Sequence, residues 1–184
     1  TYTLAIADVP GVRMVHGTTG DDWLLGTSGS DWFVGRGGED IFEGGRGDDT
    51  YVIDSLGDVV VESRNEGTDT VRSSLNHWLG RNVENLVLTG TAGTRGIGNE
   101  LDNTLTGNSG NNWLIGDDGD DQLLGEGGDD QLEGGEGSDR LFGGDGEDTL
   151  IGGAGDDTLD GGSGIDVIEA GLGDDEIDGG DSDD

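Results

Sequence analysis

Acidic residues recur in this chain as pairs set behind a glycine: Asp21-Asp22, Asp48-Asp49, Asp120-Asp121, Asp129-Asp130, Asp156-Asp157 and Asp174-Asp175. Carboxylates and the carbonyls of a crowded turn are hard oxygen donors. A flexible turn can offer six or more of them, which is the ligand set that suits calcium. The chain has no cysteine, and its two histidines, His16 and His77, lie far apart, so a zinc or copper site has little to build on. The ordinary meaning of an acidic run is a solvated face, and that reading competes with ion binding. The acid is uneven. From Gly98 onward 27 Asp and Glu face a single base, Arg140, whereas the first 97 residues carry 15 acids and seven arginines, for a net charge of −34.

The pairs belong to a nine-residue phrase, G-G-x-G-(D/N/S/E)-D-x-U-x, where U is a large apolar residue. Four copies run from Gly17 to Val52 and nine from Gly98 to Asp178, without insertion or deletion. A fixed period sets the architecture before local propensity does. Position eight is Leu24, Phe33, Phe42 and Tyr51, then Leu105, Leu114, Leu123, Leu132, Leu141, Leu150, Leu159, Ile168 and Ile177. One inward apolar residue between two outward ones describes a three-residue strand, because side chains alternate across a strand. A six-residue turn and such a strand make half a coil. Two halves close an 18-residue coil, and coils stack at roughly 4.8 Å. The expected fold is all-β, a right-handed parallel β-roll with position eight as its only core. That core is thin: hydrophobic residues are 29% of the chain and 41 of 184 residues are glycine. Such a composition ordinarily stays disordered, because burial cannot offset chain entropy and self-repulsion.

The phrase resembles the calcium-binding nonapeptide of the RTX (repeats-in-toxin, haemolysin-type) family, over roughly two thirds of the chain. The resemblance implies calcium held between turns two repeats apart on one edge of the roll, with position-six carboxylates and turn carbonyls as ligands. Carried over, the metal ligands are Asp22, Asp31, Asp40, Asp49, Asp121, Asp130, Asp139, Asp148, Asp157, Asp166 and Asp175. The position-five acids would serve mainly through their carbonyls. Two copies depart from the phrase: Leu101 replaces a glycine, and Asn103 and Asn112 take position six, so sites at that end should be fewer or weaker. Pairing gives about two sites in the first block and about six or seven in the second. About nine Ca2+ ions would offset about half of the −34 charge.

Residues 53–97 lack the phrase, yet their 45 residues are a multiple of nine. Short strands are expected at Val59–Val61, Asp69–Arg72 and Val83–Leu88, continuing the roll as motif-less coils; a separate small β domain is the alternative. Similar stretches occur between calcium blocks in large bacterial RTX exoproteins. His77 and Trp78 read as packing residues. The organisation is then 1–16 as an N-terminal strand or the end of an upstream domain, 17–52 as a first repeat block, 53–97 as the motif-less link and 98–184 as a second block.

Outward positions carry Trp23, Leu25, Trp32, Val34, Trp113 and Ile115, and turn polar toward the C-terminus. Exposed tryptophans beside aliphatics suggest a covered surface. The simplest cover is the alternating segment Tyr2-Thr3-Leu4-Ala5-Ile6; a neighbouring domain or a polysaccharide is the alternative.

Arg46-Gly47-Asp48 falls inside a repeat turn, and Gly35-Arg36-Gly37-Gly38 lacks the lysine of a phosphate loop. No nucleophile–base constellation stands out, so no catalytic residues are assigned and the chain is not expected to be an enzyme. No run of 18 apolar residues occurs. The resemblance implies a secreted, extracellular protein of a Gram-negative bacterium, exported by a type I channel. The uncapped acidic run Gly179–Asp184 suggests a piece of a larger exoprotein. The expected function is a monomeric calcium-binding module that folds on extracellular calcium and supports secretion and stability; the alternative is a carbohydrate- or surface-binding module. No nucleic-acid partner is expected of so acidic a chain.

Overall fold

The computed structural model describes the backbone of residues 5–9 and 12–181, and side chains from residue 12 onward. Tyr2, Thr3 and Leu4 of the expected N-terminal strand, and Ser182 to Asp184, lie outside the described residues. Among the described residues the chain forms twenty strands and no helix. The first part holds β1 (Ala5–Val9), β2 (Val12–His16), β3 (Trp23–Leu25), β4 (Asp31–Val34), β5 (Ile41–Glu43) and β6 (Thr50–Ile53). The middle holds β7 (Val59–Val61), β8 (Thr70–Ser73), β9 (His77–Trp78), β10 (Asn85–Leu88) and β11 (Arg95–Ile97). The last part holds β12 (Thr104–Thr106), β13 (Trp113–Asp118), β14 (Gln122–Gly127), β15 (Gln131–Glu136), β16 (Arg140–Asp145), β17 (Thr149–Ala154), β18 (Thr158–Ser163), β19 (Val167–Leu172) and β20 (Glu176–Asp178).

After β1 and β2 the strands alternate between two sides, as one apolar residue per half-coil requires. An eleven-stranded sheet runs β1-β2-β4-β6-β8-β10-β12-β14-β16-β18-β20; opposite it lie a three-stranded sheet, β3-β5-β7, and a six-stranded sheet from β9 to β19. All pairings except β1–β2 are parallel. The chain is a parallel β-roll.

Registers fix the coil length. In the second block Leu114 pairs with Leu132, Leu132 with Leu150, Leu123 with Leu141 and Leu141 with Leu159. Each step is one 18-residue coil, so position-eight side chains stack as a ladder. Every one from Leu24 to Leu159 is fully buried. Ile168 is half-buried and Ile177 is exposed, because no later coil covers them among the described residues.

The expected three-residue strand holds for β3 and β5 of the first block, while β4 and β6 have four residues. It fails in the second, where β13 to β19 have six. There the ladder runs on through positions one to three of the turn, for example Asp117 against Gly135 and Gly135 against Gly153. Gly135 and Gly153 have φ of 125° and 119°, a region where a Cβ is strained, so glycine permits the continuation.

The motif-less stretch supplies β8 and β10 to the long sheet, between β6 and β12. Its coils are irregular. Tyr51 pairs with Val71, Val71 with Leu86 and Leu86 with Leu105, steps of 20, 15 and 19 residues. The excesses cancel, which is why the second block resumes in phase. On the other side the sheet breaks between β7 and β9. The core here also recruits Ile53, Leu79, Val83 and Leu88, beyond position eight.

The cover expected of Tyr2 to Ile6 lies partly outside the described residues, and β1 itself does not reach Trp23. β1 pairs antiparallel with β2 at the edge of the long sheet, while Trp23 lies in the opposite sheet and stays 57% exposed. Pairing blunts an otherwise open edge. Trp78 is likewise exposed rather than packed, whereas burial pushes the His77 imidazole down to about 4 and keeps it neutral.

Candidate calcium-binding site

Each turn places its position-six residue at the mouth of a coil with its side chain turned inward. Asp22, Asp31, Asp40, Asp49, Asp121, Asp130, Asp139, Asp148 and Asp157 are buried; Asp166 and Asp175, in the last coils, are half-buried. Stacking joins them. The backbone N–H of each position-six residue donates to the Oδ1 of the position-six carboxylate one coil on: Asp22 to Asp40, Asp31 to Asp49, Asp121 to Asp139, Asp130 to Asp148, Asp139 to Asp157, Asp148 to Asp166 and Asp157 to Asp175, at 2.7–3.0 Å. Alternate repeats therefore form two ladders, one along each edge, as the two-repeat pairing requires.

The second oxygen distinguishes two kinds of turn. In Asp22 and Asp31 the Oδ2 accepts the N–H of Thr18 or Thr27 at 2.6 Å, and the hydroxyl of the same threonine. Asn103 and Asn112 behave alike, accepting the N–H of Asn99 and Asn108 at 2.7 Å. In the later turns position two has positive φ, at Arg36 (71°), Gly45 (91°), Asp117 (88°), Glu126 (75°) and the glycines beyond. Asp40, Asp49, Asp121, Asp130, Asp139, Asp148, Asp157 and Asp166 bury an Oδ2 that has no hydrogen-bond partner among the described residues. An unpaired buried acceptor costs about 1–3 kcal/mol, and more when it is charged.

These oxygens face a common kind of cradle. A Cβ built on Gly116 would collide with Asp121 Oδ2 and the Gly134 carbonyl; Gly125, Gly134, Gly143 and Gly161 repeat that arrangement one half-coil at a time. At Gly152 the carbonyl is that of Ala170. The residues fit calcium: an unpaired buried carboxylate oxygen beside a backbone carbonyl, repeated along each edge, is a hard-oxygen donor set.

Electrostatics agree with that fit. Burial pushes Asp121 and Asp130 up to about 7 and Asp139 up to about 6, with the acids of adjoining turns adding to it. Asp40, Asp148 and Asp157 are raised for the same reason. Asp22 is lowered instead, because the Thr18 N–H stabilises its charge. Acids crowded this way favour either a bound proton or a bound cation.

Position five adds a second row of contacts. Its side chain, and not only its carbonyl, is engaged. The Oδ1 atoms of Asp21, Asp102, Asp120, Asp129 and Asp156 accept the backbone N–H of the position-five residue on the next coil, at 2.8–3.1 Å. This outer ladder runs opposite in sense to the inner one.

Three acids of the motif-less stretch extend the inner ladders and were not among the sequence candidates. Asp40 N–H donates to Asp58, Asp49 N–H to Asp69, and Asp69 N–H to Glu84, at 2.8–2.9 Å. Their signal was the same acid-x-apolar spacing, two residues before Val60, Val71 and Leu86, without the glycines. Asp58 also accepts from the N–H groups of Asp54 and Ser55, so it ends its ladder as a self-satisfied turn.

The profile of the RTX calcium-binding nonapeptide repeat (4 copies) matches residues 16–51, 97–132, 133–168 and 160–184, more than half of the chain. The chain belongs to the RTX calcium-binding repeat family. Its repeats form a structural calcium-binding module, not a catalytic one. No curated protein matches the chain. Among the described residues no helix is long and apolar enough to cross a membrane.

Proposed function

We propose that this RTX roll is a calcium-driven folding module, with Asp22, Asp31, Asp40, Asp49, Asp121, Asp130, Asp139, Asp148, Asp157, Asp166 and Asp175 as its position-six ligands and about nine ions at saturation. The observation that carries the reading is the row of buried, unpartnered Oδ2 atoms facing glycine cradles. Calcium supplies the positive charge that allows adjoining carboxylates to stay buried and ionised. The chain's own residues do the rest: Oδ1 fixes each carboxylate to the coil before it, and glycine keeps the cradle open.

The same chemistry suits export. Where calcium is scarce, the charge of −34 and a core one residue wide leave the chain extended and threadable; in a calcium-rich exterior it folds. We read it accordingly as a secreted, extracellular and monomeric module that supports the folding and stability of a larger bacterial exoprotein. The blocks 17–52 and 98–184 carry the ions and 53–97 joins them. The test is circular dichroism during a calcium titration. β structure should appear cooperatively with millimolar calcium and not with magnesium, which demands tighter octahedral geometry. A chain equally folded in excess chelator overturns the reading.

One observation favours a second role. The Arg95 guanidinium lies 3.9 Å from the centre of the Trp113 ring, and Trp113 Nε1 donates to Glu133 at 3.0 Å. Both line an open groove with Asn76, Gln131 and Thr149, the mix of aromatic and polar groups a polysaccharide uses. Retardation in glycan-containing gels, lost in Trp113→Ala, would support it; equal mobility with and without glycan would exclude it.

A further inference from the structure

The nonapeptide pattern stops at Val52, and the next coil departs from it at one place that matters. Glu62 stands eighteen residues after Gly44, where the frame would put a glycine. In the coils before it, Gly17 and Gly26 face the carbonyls of Gly35 and Gly44. Gly44 faces Asp49 Oδ2, the Tyr51 hydroxyl and Glu62 Oε1 instead. A second side-chain carboxylate has taken the place of the turn carbonyl.

Asp69, the next rung of the ladder, completes the group. Asp49, Glu62 and Asp69 each bring a carboxylate oxygen within 4.8 Å of the others. Acids in a cluster do not by themselves make a site. Here Asp49 is 1% exposed and its Oδ2, aimed at Glu62, has no hydrogen-bond partner; Glu62 Oε2 is buried and unpartnered as well. The Tyr51 hydroxyl bonds to Glu62 Oε1, holding that side chain in place and leaving Oε2 for another partner. Among the described residues no arginine forms an ion pair with any of the three; the one ion pair is Arg13 with Asp31.

We propose that Asp49, Glu62 and Asp69 hold one calcium ion at the junction of the first block and the motif-less stretch, in a site of three side-chain carboxylates. It rests on the reading that buried position-six acids take calcium, since Asp49 belongs to both. Calcium affinity rises with the number of charged ligands, so this site fills before the cradles of the second block, where carbonyls supply part of the donor set. The ion also ties the 20-residue step from Tyr51 to Val71 into the roll, a loop that has no nonapeptide turn to shape it.

Calcium binding by equilibrium dialysis, on the full chain, tests it with two variants side by side. Glu62→Gln should lose one calcium equivalent, the tightest, while Asp139→Asn should lose binding only among the weaker sites. Unchanged tight binding in Glu62→Gln, with Asp139→Asn impaired, overturns the junction site and leaves the position-six reading intact. Unchanged binding in both variants overturns both. Should Glu62→Gln not fold in calcium by circular dichroism, Glu62→Asp keeps the charge and shortens the reach. It should weaken the tightest site by about tenfold or more, and an unaltered tightest site in that variant equally refutes the proposal.

Discussion

The two repeat blocks stack the same coil but close it by different means. In the first, the core ladder is aromatic: the Phe33 and Tyr51 rings stack 5.1 Å apart, and Phe42 meets both edge-on. Its first two turns are closed by protein hydrogen bonds from Thr18 and Thr27, and Arg13 lies 3.9 Å from Asp31. In the second, from Gly116 onward, the core is leucine, and Asp121 to Asp166 carry six unpartnered carboxylate oxygens. One residue makes the difference. Threonine or asparagine at position two turns its N–H onto position six, whereas a positive φ there turns it away. For Arg36, Asp117 and Glu126 that φ is itself unfavourable. Each block thus opens with turns whose position-six side chain is engaged by the N–H of position two and continues with turns whose Oδ2 has no hydrogen-bond partner among the described residues.

The largest expected effect comes from removing calcium. In excess chelator the second block should lose its β signal entirely, while aromatic signals from Phe33, Phe42 and Tyr51 decay less. Far- and near-ultraviolet circular dichroism, followed together through a calcium titration, measure this. Superimposable curves would mean a single cooperative unit and would break the comparison.

Protons should partly replace calcium. Asp121 and Asp130 lie at about 7 and Asp139 at about 6 in the folded chain, against about 3.9 for an unfolded aspartate. The folded state therefore binds protons more tightly than the unfolded one. Its contribution to stability is full below about pH 4 and is lost as pH rises through 6 to 7. A calcium-free sample should accordingly gain β structure on acidification from pH 8 to pH 4. Calcium binding should weaken over the same range, as protons compete for Oδ2. Equal disorder at both pH values would count against the buried acids as the source of the instability.

Shortening the core comes next. Leu132→Ala or Leu141→Ala removes a fully buried rung and should cost about 2–5 kcal/mol in saturating calcium. Asp139→Asn keeps the shape but loses the charge, and should cost about 1.5–3 kcal/mol, the range for a hydrogen bond to a charged group. It should also raise the calcium midpoint. Thermal unfolding at high and low calcium separates the two: the leucine variant is weakened at both, and the aspartate variant more as calcium rises, because it has lost a group through which the ion stabilises the fold.

Position-eight apolar residues and position-six acids were legible because strict period makes sequence distance equal spatial distance. Asp40 meets Asp22 since both sit at one phase of an 18-residue coil. Where the period fails, so does the reading. Asp58, Asp69 and Glu84 could not be placed without knowing that neighbouring steps measure 20, 15 and 19 residues. Nor could Glu62 be seen to occupy the glycine position beside Asp49. The turn flip at position two was hidden for another reason: Thr18 and Glu126 fill the same column of the repeat, and only φ separates them. The pairing of β1 with β2 was not legible because alternation specifies a strand but not its partner.

The smallest expected effect sharpens the comparison most. Thr27→Val removes one hydroxyl, which donates to Asp31 Oδ2 at 2.9 Å, and leaves the Thr27 N–H at 2.6 Å in place. A lost hydrogen bond to a carboxylate should cost about 1 kcal/mol, near the low end because one of two donors remains. That loss should appear in thermal stability at every calcium level alike, since the Oδ2 of this turn is held by Thr27. The calcium midpoint of the second block should stay where it was, because Asp121 and its successors have no threonine to lose. A shift of that midpoint as large as the one Asp139→Asn produces would mean that the Oδ2 of Asp31 depends on the ion as much as the unpartnered ones do. The contrast between Oδ2 atoms engaged by threonine and those without a protein partner would fall with it.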